Sequence, residues 1–166
     1  PVEIDQFQQK LAACLPKDIP LYRAEVVDLK TPSATQLLEQ AEYLITVTVV
    51  ASEDSANLSY PTPDQWQEWI EAVKAQETIA WEQTTKSGKV QTINLRDRLF
   101  DLALMPAHPE LDQATTVLRF VGSCRNDGTL LKPEQVLYML EQVAQREFRL
   151  LHTHRNQLFL AALASA

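Results

Sequence analysis

The chain has 166 residues, 45% of them hydrophobic, and a net charge of −7. That length holds one sizeable core, or one core with a short appendage. The acidity argues against a broad phosphate-tracking surface, and no run approaches the roughly 18 apolar residues of a membrane-spanning helix.

Pro1-Val2-Glu3 shows neither an initiator Met nor a basic leader, so a fragment of a longer protein is expected. Ile4, Phe7, Leu11, Cys14 and Leu15 recur at helical spacing until Pro16. Leu21 to Leu29 is β-prone and reads as a strand broken by Arg23, Glu25 and Asp28. Ser33 suits the cap of a short helix reaching Gln40. Tyr43 to Val50, YLITVTVV, is the strongest strand of the chain. A polar loop, Ser52 to Pro63, leads into a helix starting near Thr62 or Asp64. Trp66, Trp69, Ile70 and Val73 form its buried face.

Thr78–Thr85 and Val90–Leu95 read as two strand arms around the turn Lys86-Ser87-Gly88-Lys89. Asp97 to Met105 fits helix through Leu99, Leu102 and Ala103, or strand through Leu102 and Leu104. Pro106 to Asp112 is loop. Val117 to Val121 is a strand that Gly122 is expected to end, and Arg125-Asn126-Asp127-Gly128 is a turn. Pro133 suits the first turn of a helix whose stripe is Val136, Leu137, Leu140, Val143 and Ala144. Phe148 to Thr153 is the last strand, and Leu158 to Leu163 is apolar and undecided. From Tyr43 the order is β, α, β with an extra hairpin arm, β, α, β. It predicts an α+β, ferredoxin-like split βαβ sandwich, an antiparallel sheet with helices on one face. Residues 1–40 are expected as an N-terminal helix–strand extension, the end of a truncated preceding unit, and residues 41–166 as the ferredoxin-like domain.

The sequence lacks most familiar catalytic signatures. Its three glycines, Gly88, Gly122 and Gly128, make no dinucleotide fingerprint or phosphate loop. No nucleophile elbow occurs. Cys14 and Cys124 are expected as thiols buried like small hydrophobes. His152 and His154 fall on one side of the last strand, and His108 is a third candidate, but no acidic or Cys ligand stands at a telling spacing, so no metal site is expected. The arginines offer a ligand surface. Arg119 interrupts an apolar strand and should face away from the helices if Leu118 and Phe120 face them. Arg96, Arg98, Arg125, Asn126 and Arg155 are the other candidates for binding an extended anion such as RNA. Pairing with Asp97, Asp101 and Asp127 is the competing fate.

The segments LPKDIPLYRAEVVDLKTPSATQLLEQAEYLITV, TKSGKVQTINLRDRLFDLAL, GSCRNDGTLLKPEQVLYML and LLHTHRNQL resemble the C-terminal domain of unknown function linked to radical SAM proteins, most of all its cyanobacterial fusion type. The resemblance implies a tail behind a cobalamin-binding region and a radical SAM barrel. It also implies that any iron–sulfur cluster, S-adenosylmethionine or cobalamin belongs to the parent protein, with no cofactor in this fragment. In other bacteria the similar domain is a separate partner protein, often encoded near a ribonuclease. The motif Q-G-F-x-P-x-P that usually opens the family is missing, which is why residues 1–30 are expected as an orphaned end. The function expected is a non-catalytic, cytoplasmic accessory domain that recruits or positions the radical SAM enzyme's substrate, with RNA as one candidate. The alternative is a protein-interaction module docking to the parent barrel or to a ribonuclease.

Overall fold

The computed structural model describes residues 3–50, 60–85, 87–107 and 111–161. The chain divides into two compact units, Pro1–Ser33 and Ala34–Ala166.

In the first unit, helix α1 covers Ile4–Cys14. Its C-terminal end is closed by Leu15, whose N–H donates to the Leu11 carbonyl at 3.2 Å, before Pro16 prevents continuation. Residues 21–28 carry no strand, contrary to the expectation for Leu21 to Leu29. The reason is pairing: a β-prone sequence becomes a strand only when a neighbour takes its backbone bonds, and among the described residues none does so. Among the described residues of this unit none is buried. Cys14 is exposed, which corrects its expected burial; Cys124, in the second unit, is buried as expected, and both thiols are free.

In the second unit, α2 is a single turn, Ala34–Leu37, shorter than the helix expected to reach Gln40. The chain passes directly into β1, Leu38–Val49. Helix α3 is Pro63–Ala75, β2 is Ala80–Thr84, β3 is Val90–Asn94, and a 3-10 turn at Arg96–Arg98 precedes β4, Leu99–Leu104. Strand is therefore the outcome where the sequence left helix and strand open. β5 is Thr115–Ser123, α4 is Pro133–Ala144 and β6 is Phe148–Leu160.

β1, β4, β5 and β6 form an antiparallel sheet in the order β4-β5-β1-β6, and β2 and β3 form a separate hairpin. With α3 after β1 and α4 after β5, this is the split βαβ order of a ferredoxin-like sandwich, the hairpin being inserted before β4. Ile45 of β1 lies opposite Leu118 of β5, so the two strongest apolar runs share one sheet as expected.

Side-chain alternation decides which face is covered. Ile45, Val47, Leu118, Phe120, Leu99 and Leu102 are buried together with Trp66, Ile70 and Val73 of α3 and Val136, Met139 and Leu140 of α4. A fully buried side chain of this size contributes about 1.5–3 kcal/mol. α3 is set by a capping box: Thr62 Oγ1 accepts the Gln65 N–H, and Gln65 Oε1 accepts the Thr62 N–H at 2.9 Å. Its Trp66 and Trp69 rings pack on Phe148 with centroids 5.0 and 5.7 Å away. At α4, Gln135 Oε1 accepts the Lys132 N–H at 2.9 Å, which accounts for a buried amide side chain.

Gly122 does not end β5. It sits inside the strand, opposite Ala41 on one side and Leu99 on the other. A Cβ there would lie 3.0 Å from the Leu131 Cβ, so the glycine is required by the loop that folds back over the strand. Leu131 N–H fixes that loop by donating to the Ser123 carbonyl at 2.9 Å.

Candidate functional site

The face of the sheet opposite the helices carries Arg119 at its middle. The register places Arg119 between Leu44 of β1 and Ala103 of β4, and its neighbours Leu118 and Phe120 point into the core. The outward direction expected for Arg119 therefore holds, but its guanidinium is occupied. It donates to Glu42 Oε2 at 2.7 Å and pairs with Asp101 Oδ2. Asn156 of β6 donates to the other Glu42 oxygen at 2.6 Å, and Lys74 lies 3.6 Å from Asp101. Hydrogen bonds from Asn156 and then Arg119 hold the Glu42 carboxyl below its ordinary value. The Glu42 bond in turn raises the Arg119 guanidinium.

The remaining predicted residues do not join Arg119. Arg96 closes the end of α3: its Nε and Nη2 donate to the Lys74 carbonyl at 3.3 Å and its Nη1 to the Leu99 carbonyl at 2.7 Å. Arg98 donates to the Leu130 carbonyl at 3.3 Å. Arg125 reaches Glu39 at 3.5 Å, and Asn126 is exposed in the neighbouring turn. Arg155 is exposed and lies opposite Tyr43, a residue stacked on Phe120, so it shares the helix-side face and not the face of Arg119. The six candidates thus serve several separate places, and the carboxylates that take Arg119 are Glu42 and Asp101. Of these, only Asp101 was expected.

Sequence reasoning missed Asn94. Its Oδ1 accepts the N–H groups of Ile79 at 2.8 Å and Arg96 at 3.1 Å, and its Nδ2 donates to the Glu77 carbonyl. It joins the hairpin base to the end of α3. It also missed the length of β6. That strand lies at the edge of the sheet, runs for 13 residues and follows β1 through three register shifts. Every residue from Leu151 to Leu158 is exposed. Between Phe148 and Leu160 there are two Arg and two His and no acid. His152 and His154 lie opposite Thr46 and Leu44, on one face as expected. His108 lies outside the described residues. Among the described residues no group of three His, Cys, Asp or Glu side chains could hold a metal ion.

A cleft of about 490 Å³ lies between the start of α3 and the ends of β4 and β5. Its lining includes Tyr60, Trp66, Leu104, Met105 and Val117, with Asp112 as its charged residue. Among the described residues that line it, Asp112 is the one charged group, and no base stands beside the threonine hydroxyls. Among the described residues no helix is long and apolar enough to cross a membrane.

No curated protein and no solved structure matches the chain. A family model described as an uncharacterized protein conserved in bacteria (DUF2344) matches residues 1–133, and the chain belongs to that family.

Proposed function

We propose that this protein is a non-catalytic accessory domain that docks a partner protein along the edge of β6. One observation carries the reading: β6 offers 13 residues of edge strand whose middle is exposed. An edge of this kind can take on the strand of another chain, with main-chain bonds giving affinity and side chains giving choice. Leu151, Leu158 and Leu160 supply exposed apolar contacts, and Arg149, His152, His154 and Arg155 favour an acidic strand. The radical SAM barrel implied by the resemblance is the partner we favour, with a ribonuclease second. Recruitment of RNA by the arginines has less support, because Glu42 and Asp101 already neutralise Arg119.

The test is capture from bacterial extract, with and without nuclease, on wild-type protein and on a variant with Leu151→Glu and Leu158→Glu. A radical SAM protein identified by mass spectrometry, retained after nuclease and lost with the variant, is the expected result. Capture that vanishes with nuclease would favour RNA, and capture indifferent to the variant would move docking away from β6.

A further inference from the structure

The first unit leaves a second stretch of chain unsatisfied. Tyr22, Val26 and Leu29 are 87%, 79% and 103% exposed, more than any other large hydrophobic side chain described, and Val27 follows at 67%. From Leu21 to Val27 the Ala24 N–H has a partner, Gln8 Oε1 of α1 at 3.2 Å, and the described residues provide no other backbone bond there. A β-prone segment with open backbone groups and bare apolar side chains is a template for another strand.

Its sequence, Leu-Tyr-Arg-Ala-Glu-Val-Val, says which strand. Antiparallel pairing of the segment with itself about Ala24 sets Arg23 opposite Glu25 of the other copy and Tyr22 opposite Val26. Both are favourable cross-strand pairs, the first by charge and the second as an aromatic on a β-branched side chain. Within one chain Arg23 Nε already lies 3.2 Å from Glu25 Oε1, with both side chains exposed, so pairing about the two-fold axis joins two such ion pairs into one four-charge cluster of alternating sign. Direction also agrees. In a strand, a residue's N–H and C=O point the same way and its neighbours' point the other. Ala24 spends its N–H on Gln8 of its own helix, so once the segment pairs as a strand Arg23 and Glu25 turn theirs outward. Arg23 and Glu25 then exchange backbone bonds across the axis, and Ala24 faces Ala24 as a non-hydrogen-bonded pair.

We propose that the first unit is a self-pairing strand: residues 21–27 of two copies join antiparallel about Ala24 and make the protein a homodimer. The proposal does not depend on what β6 binds.

Sedimentation velocity of the full chain over a concentration series tests it, with Arg23→Glu, Glu25→Arg and the double reversal. Wild type should dimerise reversibly. Each single reversal puts two like-charge pairs across the axis and should weaken the dimer roughly tenfold. The double reversal restores opposite charges and should restore wild-type association. A second measurement fixes the register. In a Cys14→Ser background, Ala24→Cys should cross-link on oxidation, because non-hydrogen-bonded partners stand about 4.5 Å apart at Cα, within disulfide reach. Val27→Cys should not, since the two copies of that position would lie about 40 Å apart along the strands at most and about 20 Å at the expected register. A wild type that stays monomeric, three charge variants that associate as wild type does, or equal cross-linking at both positions would overturn the proposal.

Discussion

Arg119 shows how much of a residue's role its neighbours decide. Its outward direction followed from alternation with Leu118 and Phe120. Its occupation by Glu42 and Asp101 depended on which strands lie beside β5, and the order β4-β5-β1-β6 is not written in any local pattern. Glu42 carries a testable consequence. Its folded carboxyl titrates below the unfolded one, so the folded state holds fewer protons in the acid range. The stabilisation is complete above the unfolded carboxylate's range and drains as the pH falls through the folded value. Urea unfolding at a series of pH values should therefore show a smaller acid loss for Glu42→Gln than for wild type. Equal slopes would mean that the Asn156–Glu42–Arg119 network adds nothing to stability. Gly122 makes a second case. Adding a methyl group against Leu131 in a closed strand should cost about 1–3 kcal/mol, so Gly122→Ala should lower the urea midpoint without changing the fold.

At the scale of elements, the sequence was legible wherever the signal is local. The Trp66 and Val136 helices, the hairpin through Gly88, and the runs at Tyr43 and Val117 all follow from spacing and punctuation. Gly88 and Gly128 sit at φ of +80° and +89°, where glycine is strongly preferred. What failed was non-local. Residues 21–28 have strand composition and no ladder, Gly122 looked like a terminator and is a contact, and β6 outran its apolar start because β1 continues beside it. Arg96 belongs with these. It looked like a ligand group and closes the last turn of α3, whose terminal carbonyls have no partner within the helix. Arg96→Ala should cost about 1–2 kcal/mol, seen as a lower thermal midpoint. Arg98→Ala, which removes one exposed bond, should cost less. If the two variants melt alike, Arg96 does not secure that helix end.

For the molecule as a whole, the ferredoxin-like second unit keeps its core on one sheet face and exposes a long edge strand, β6. The candidate site was the least legible part of the sequence. Six residues were grouped by chemical type, and the fold distributes them, because nothing in Arg or Asn spacing encodes which strands become neighbours. The long cationic edge, by contrast, is visible in the acid-free run from Phe148 to Leu160 once that run is known to be one strand. Docking along this edge is the central claim, and hydrogen exchange of the purified complex with the captured partner tests it most directly. Amides of residues 151–158 on the open side of β6 should gain protection on binding. Protection confined to the Arg98 and Arg125 loops, with β6 exchanging as in the free protein, would contradict it.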